Sequence, residues 1–269
     1  MSYRALRRLA STVLAAVTVF AVTLDVTPAS AAAVPSTARE RGLDVSYPQC
    51  GSTLPTSADF AVVGVDGGRP FDANPCLVEQ IAWARTFGRP SYYANTANPG
   101  PRLSSHWPIG QRAPRRCTRN NRNSEDCAFD YGFNAAKDSF ARARAAARSV
   151  GARDVADSVW WLDVEMHNTW QSLEHGERPR FLRNDTAVLA GMTKLLHRRG
   201  VRWVGVYSTA HQWQRITGGA RLDRAPIWYA GTGTVRNARI HCRPTYSFTG
   251  GRIRMAQFLR NGFDADLRC

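Results

Sequence analysis

The sequence predicts an α/β fold, a single modified β/α barrel of the TIM type carrying a disulfide-clipped insertion. Three observations lead there. Short apolar runs of strand length alternate with amphipathic helical stretches along most of the chain. Such alternation implies βαβ units and a parallel sheet. No Pro/Ser-rich linker or internal repeat divides the chain, so the strand candidates belong to one domain, and that many parallel strands favour closure over an open sheet. An open doubly wound sheet is the alternative, but no glycine-rich phosphate loop follows the first strand.

The chain has 269 residues and opens as an export signal. Arg4, Arg7 and Arg8 give a basic start, "LASTVLAAVTVFAV" an apolar core, and "PASAAA" a cleavage site after Ala31. Residues 1–31 are therefore read as a signal peptide that is removed and 32–41 as a short lead. Residues 42–269 are read as the barrel. A retained anchor is the alternative, but the apolar run is short and Asp25 interrupts it. The expected product is secreted, extracellular or wall-associated, monomeric and free of the membrane once the signal is cut.

"GLDVSY" (42–47) and "FAVVGVDGG" (60–68) read as the first two strands, and "LVEQIAWARTFG" (77–88) as a helix ending at glycine. "PSYYANT" (90–96) reads as the third strand. The polar stretch of residues 98–130 follows, and then the Ala/Arg helix at 133–151. "VWWLDVEM" (159–166) is the fourth strand. The helix at 183–200 comes next, with Asn184 or Asp185 as its expected cap. "VRWVGVYST" (201–209), "APIWYAG" (225–231) and "RIRMAQF" (252–258) complete the strands.

Six cysteines, Cys50, Cys76, Cys117, Cys127, Cys242 and Cys269, suit an oxidised exported chain. Nearness in sequence suggests pairs 50–76, 117–127 and 242–269. There is no CxxC and no spaced His pair, so no metal and no cofactor is expected. The formal net charge is +15, carried almost wholly by arginine. That charge suits solubility or attraction to a polyanion such as an anionic cell wall. An export signal and the absence of any nucleic-acid motif argue against a nucleic-acid partner.

The run "WWLDVEMH" carries two acids in an apolar setting. Side chains alternate faces along a strand, so Trp161, Asp163 and Glu165 share one face and Leu162, Val164 and Met166 the other. The apolar face wants the helix layer. The acids then point into the barrel near the carboxyl end of the strand, where sites on this fold assemble. Asp44, between Leu43 and Val45, also points inward; Asp66 ends the second strand, and Asp264 and Asp266 follow the last one. Crowded carboxylates cannot all ionise easily, so one should hold a proton near neutral pH. An acid kept protonated beside one kept ionised is the equipment of a glycosidase. Tyr93, Trp161, Trp170, Tyr207, Trp228 and Tyr229 lie near these acids, and aromatic faces pack against sugar rings.

Six segments in this order resemble glycoside hydrolase family 25, the lysozyme-type muramidases: "GLDVSYPQ", "DFAVVGVDGGRPFDANP", "WLDVE", "VGVYSTAHQW", "PIWYAG" and "AQFLRNGFDADL". The resemblance implies a modified β/α barrel whose acidic groove cleaves the β-1,4 bond after N-acetylmuramic acid. It implies a partner that is peptidoglycan or another wall polysaccharide. By position, Glu165 would be the general acid, and Asp163 would orient the substrate's N-acetyl group or stabilise developing charge. Asp44 and Asp266 would complete the acidic cluster, and Tyr93 would contact the sugar next to the cut. Gly64, Asp66 and Gly67 replace the family's Lys, Thr and Glu on strand two, and Tyr93-Ala94-Asn95 replaces Tyr-His-Phe. Asp66, Asn95, Trp170, Tyr207 and Trp228 are thus expected, with Tyr93, around the substrate. The insertion at 98–130 has no family counterpart and should lie beside the site. The rival expectation is a barrel that binds wall carbohydrate without cleaving it.

Overall fold

The computed structural model describes residues 40–269. The signal-peptide reading over 1–31 and nearly all of the 32–41 lead lie outside the described residues. Eight strands close into a barrel in chain order. They are β1 (Arg41–Val45), β2 (Phe60–Gly64), β3 (Ser91–Asn95), β4 (Trp160–Asp163), β5 (Val204–Ser208), β6 (Ile227–Tyr229), β7 (Ile253–Arg260) and β8 (Phe263–Arg268). The predicted closed barrel is present, with one change to its sheet. β1 to β7 run parallel, but β8 is antiparallel to both β7 and β1.

Asp264 and Asp266 therefore do not follow the last strand; they are part of it. The cause is the Asn261–Gly262 pair, with φ of 52° and 81°, which makes a tight hairpin between β7 and β8. Asn-Gly between strand-like runs supplies the positive φ values such a turn needs.

Alternation sorts the side chains as the sequence predicts. Leu162 and Val164 pack outward in the main core, whereas Trp161 joins Phe60, Val62, Trp228 and Met255 inside the barrel. Those rings need room opposite them. A Cβ at Gly205 would lie 2.3 Å from the Trp161 ring, and one at Gly64 2.5 Å from the Tyr93 ring. Glycine at these two inward positions is a packing requirement.

Outside the barrel lie α1 (Leu77–Arg85), α2 (Gly100–Leu103), α3 (Glu125–Ser149), α4 (Gln171–His175), α5 (Pro179–Arg198), α6 (Ala210–Thr217) and α7 (Val235–His241). α3 begins earlier than predicted, so the last residues of the 98–130 segment are helical. Ser124 caps it, accepting from the Cys127 N–H at 3.2 Å, and Glu125 and Asp126 complement the helix dipole in the first turn. α5 also begins early, at Pro179. Asn184 and Asp185 sit inside it, buried, and neither is its cap. Asp185 instead accepts from the Asn98 side chain at 2.7 Å and from the Ser172 N–H of α4 at 2.9 Å. No helix among the described residues is long and apolar enough to cross a membrane.

The disulfides are Cys50–Cys76, Cys117–Cys127 and Cys242–Cys269, as nearness in sequence suggested. The second ties the insertion to the first turn of α3. Trp107 adds a second anchor: its indole donates to the Arg122 carbonyl at 2.6 Å and its ring stacks on Tyr131 at 5.2 Å. Replacing Cys117 and Cys127 by Ala should return loop entropy worth about 3 kcal/mol to the unfolded chain. The insertion should loosen first. Limited proteolysis is expected to cut within residues 104–122 well below the melting temperature of the barrel. An unchanged cleavage rate would show that the Trp107 anchor suffices.

Candidate active site

A pocket of about 240 Å³ opens at the carboxyl end of the parallel strands. Asp44, Tyr93, Asn95, Asp163, Glu165, Tyr207, Trp228, Gln257 and Asp264 line it, with Tyr47 and His167 at its edge. Of the sequence-predicted residues, β1 thus delivers Asp44, β3 delivers Tyr93 and Asn95, and β4 with its following turn delivers Asp163 and Glu165. Tyr207 and Trp228 come from β5 and β6. The rings form a floor, with Trp228 at 4.4 Å from Tyr207, 5.9 Å from Trp161 and 6.0 Å from Tyr93, ring centre to ring centre.

Three predicted residues are placed otherwise. Asp66 is 0% exposed and turns away from the pocket toward α3. Its carboxylate accepts from the Ser139 hydroxyl at 3.0 and 3.1 Å and from the Asn95 N–H at 3.1 Å. The strand ends at Gly64, and the chain beyond it no longer alternates with the barrel. Trp170 is fully buried in the outer core, so it offers no ring to a ligand. Its indole donates to the Glu165 carbonyl at 2.9 Å, and it therefore positions the backbone that carries Glu165. Asp266 is 0% exposed and lies beneath the pocket, leaving Asp264 at the mouth. Because β8 is antiparallel, the earlier of the two acids, Asp264, stands nearer the mouth and Asp266 lies deeper. Two of the neighbouring rings also miss the pocket: Trp161 packs below it, and Tyr229 packs outward against His241.

The acids form two pairs of the same design. The Asp163 carboxylate accepts from the Asn95 amide at 2.6 Å through one oxygen, while its other oxygen is buried with no donor. The Asp266 carboxylate accepts from the Trp228 indole at 2.7 Å through one oxygen, and its other oxygen also lacks a donor. A buried oxygen without a donor is costly unless it carries a proton. Each inner acid has an outer acid as its neighbour, Glu165 for Asp163 and Asp44 for Asp266. Burial and the neighbouring acid both favour the protonated form of each inner carboxyl.

Electrostatics agree with that geometry. Burial pushes Asp163 well above the usual carboxylate range, and the Glu165 charge adds to the push. Burial, then the Asp44 charge, does the same to Asp266, against the Trp228 hydrogen bond that lowers it. Burial raises Asp44 to about 7, helped by the Asp264 charge and opposed by hydrogen bonds from Gln257 and Asp266. The pocket is thus partly protonated at neutral pH, which crowding predicts.

Gln257 is a site residue that sequence reasoning missed. It accepts from the Tyr207 hydroxyl at 2.8 Å and donates to Asp44 at 3.2 Å, fixing the Asp44 carboxylate. A polar residue two positions after the inward Met255 was the available signal. His167, whose Nε2 lies 3.6 Å from Glu165, sits in a turn and Tyr47 opens a single 3-10 turn, where no strand or helix periodicity marks them.

No protein-family model matches the sequence, and no curated protein matches it either. Solved structures do. A family GH25 lysozyme from Aspergillus fumigatus is 15% identical, with a TM-score of 0.53, over 86% of this chain and 94% of that one. The spore cortex lytic enzyme SleM from Clostridium perfringens is 14% identical, with a TM-score of 0.50, over 86% of this chain and 67% of that one. At such identities the likeness is one of fold, and the fold is the modified β/α barrel that the sequence motifs resemble.

Proposed function

We propose that this protein is a secreted glycan hydrolase acting on a cell-wall polysaccharide, with peptidoglycan as the substrate class. The observation that carries the reading is the Asp163–Glu165 pair, a buried acid whose protonated form is favoured, beside an acid that faces an open pocket. The fold shared with a lysozyme and a spore cortex lytic enzyme supports the class of substrate. The leader and three disulfides support export.

In this reading Glu165 gives a proton to the glycosidic oxygen as the bond to the anomeric carbon breaks, so the leaving sugar departs as an alcohol. Asp163 shares the proton with Glu165 and keeps it available. Positive charge develops on the sugar ring, and Asp44 and Asp264, on the opposite wall, stabilise it when ionised. Water completes the hydrolysis, its hydroxyl joining the anomeric carbon and its proton restoring the acid pair. Tyr93, Tyr207 and Trp228 hold the ring. Asn95 fixes Asp163, and through it the direction in which the proton is offered.

One observation favours the rival reading, a barrel that binds the polymer without cutting it. Strand β2 adds no carboxylate to the pocket, because Asp66 is spent on α3. Digestion of purified peptidoglycan with mass analysis of the soluble products separates the two. New reducing ends, absent from a heat-inactivated control, are expected. Tight binding with no soluble product would leave the binding barrel.

A further inference from the structure

The acid pocket is one end of a longer groove. It shares Gly68 and His167 with a second cavity of about 650 Å³. That cavity in turn shares Pro99, Leu103 and Glu174 with a third, of about 660 Å³. The run follows the loops after β2, β3 and β4 and crosses the start of the insertion. Leu103, 64% exposed, stands in its middle as an apolar contact for a passing chain.

The far end has the opposite charge. Arg102 and Arg122 from the insertion and Arg178 and Arg180 from the start of α5 line it, against a single acid, Glu174. None of the four makes an ion pair among the described residues. Arg180 lies over the Phe181 ring, 4.3 Å from its centre, which holds the guanidinium in place and leaves its edge free. α5 adds to the field, since its first turn carries no acid and no capping side chain. Elsewhere the chain does neutralise such groups: Arg183 pairs with Glu125 and Arg215 with Glu177. By contrast, Arg115, from the same insertion, pairs with Asp126 and covers Phe129, away from the groove.

We propose that this basic cavity is a subsite for anionic groups, carboxylate or phosphate, carried by the glycan at a distance from the bond that is cut. The inference rests on the hydrolase reading for its polymer and extends it to specificity. Guanidinium forks match both anions with paired hydrogen bonds. Opposite charge at the two ends also gives the groove a direction. A chain laid in reverse would press its acidic substituents against the acids at the pocket mouth, Glu165 and Asp264, and like-charge contact is penalised. The subsite therefore selects acidic wall polymer over neutral glycan and sets which way it lies.

The test is binding, measured in a Glu165→Gln background so that strands stay intact. Three probes are used: solubilised peptidoglycan strands, the same strands with carboxyls amidated, and the same strands freed of phosphodiesters by acid. Replacing Arg102, Arg122, Arg178 and Arg180 together by Gln should weaken binding of native strands about tenfold or more at low salt, and less as salt rises. The four-lysine variant should recover only part of the loss, because it restores charge on the same surface positions but not the paired hydrogen bonds. Whichever chemical treatment weakens the parent equally, with no further loss in the glutamine variant, identifies the anion. Binding within twofold of the parent, or insensitivity to both treatments, overturns the subsite. Hydrolysis is scored separately on the unmutated protein. Arginine-dependent binding with no released product would defeat the hydrolase reading alone, and hydrolysis with arginine-independent binding would defeat the subsite alone.

Discussion

Glu165→Gln is expected to lower release of reducing ends from wall glycan by about a hundred- to ten-thousand-fold, the usual worth of a positioned general acid. The same change should leave the melting temperature unchanged or raise it. Glutamine keeps the volume of the side chain and still offers an oxygen to the Asp163 proton, so the buried acid is not orphaned. It also removes the charge that disfavours ionisation of Asp163. What it cannot do is give up a proton to a leaving oxygen. Asp163→Asn should cost activity as well, since an amide beside Glu165 donates a hydrogen bond but no proton. The double variant should be little worse than either single one, because the two carboxyls act as a unit. Additive losses would mean two separate roles, and a Glu165→Gln enzyme with more than a tenth of its activity would remove Glu165 as the acid. Loss of folding in Glu165→Gln would make it a structural residue.

The succession of strands and helices made the barrel legible, and period-two alternation within the strands placed part of the site. Alternation is a local rule, and it placed Asp44 and Asp163 on the inner face because each sits within or at the end of a regular strand. It failed where regular strand stopped. Asp66 lies two residues beyond β2, where the chain turns and the next packing partner, Ser139, is 73 residues away in sequence. Trp170 lies on a connection whose burial depends on how α4 and the start of the insertion meet. The antiparallel β8 was a different failure. Its Asn-Gly turn was visible, but a uniform expectation of parallel strands hid it, and with it the distinct depths of Asp264 and Asp266. The arginines of the basic cavity were legible as composition only. Which of them stay unpaired depends on acids from distant segments, such as Glu125 and Glu177.

Stability should fall as pH rises from about 5 to 8, contrary to the behaviour of a protein held by ordinary ion pairs. The sign follows from the buried acids. An aspartate titrates near 3.9 in the unfolded chain, whereas burial holds Asp44 and Asp185 at about 7 and Asp66 at about 8 in the folded one. Between those values the folded state binds more protons than the unfolded state, so unfolding free energy decreases with pH. Asp66 isolates the effect, because it lies outside the pocket. The Ser139 hydroxyl has one proton, and it sits within reach of both Asp66 oxygens and of the Ala135 carbonyl at 3.1 Å. If Asp66 is protonated, its O–H goes to Ser139, whose own O–H goes to Ala135, and the Asn95 N–H goes to the other Asp66 oxygen. Asparagine reproduces that pattern without a titrating group. Asp66→Asn should therefore be near neutral at pH 4 and stabilising at pH 8, by up to the order of 5 kcal/mol, since each pH unit between the unfolded and folded titration points is worth about 1.4 kcal/mol. Denaturant unfolding of both proteins across this range, at about 0.15 M salt to screen the net positive charge, checks the claim. A parent protein that gains stability from pH 5 to 8, or an asparagine variant no more stable than it at pH 8, would show that Asp66 is ionised in the fold and that Ser139 and the Asn95 N–H are enough to hold the charge.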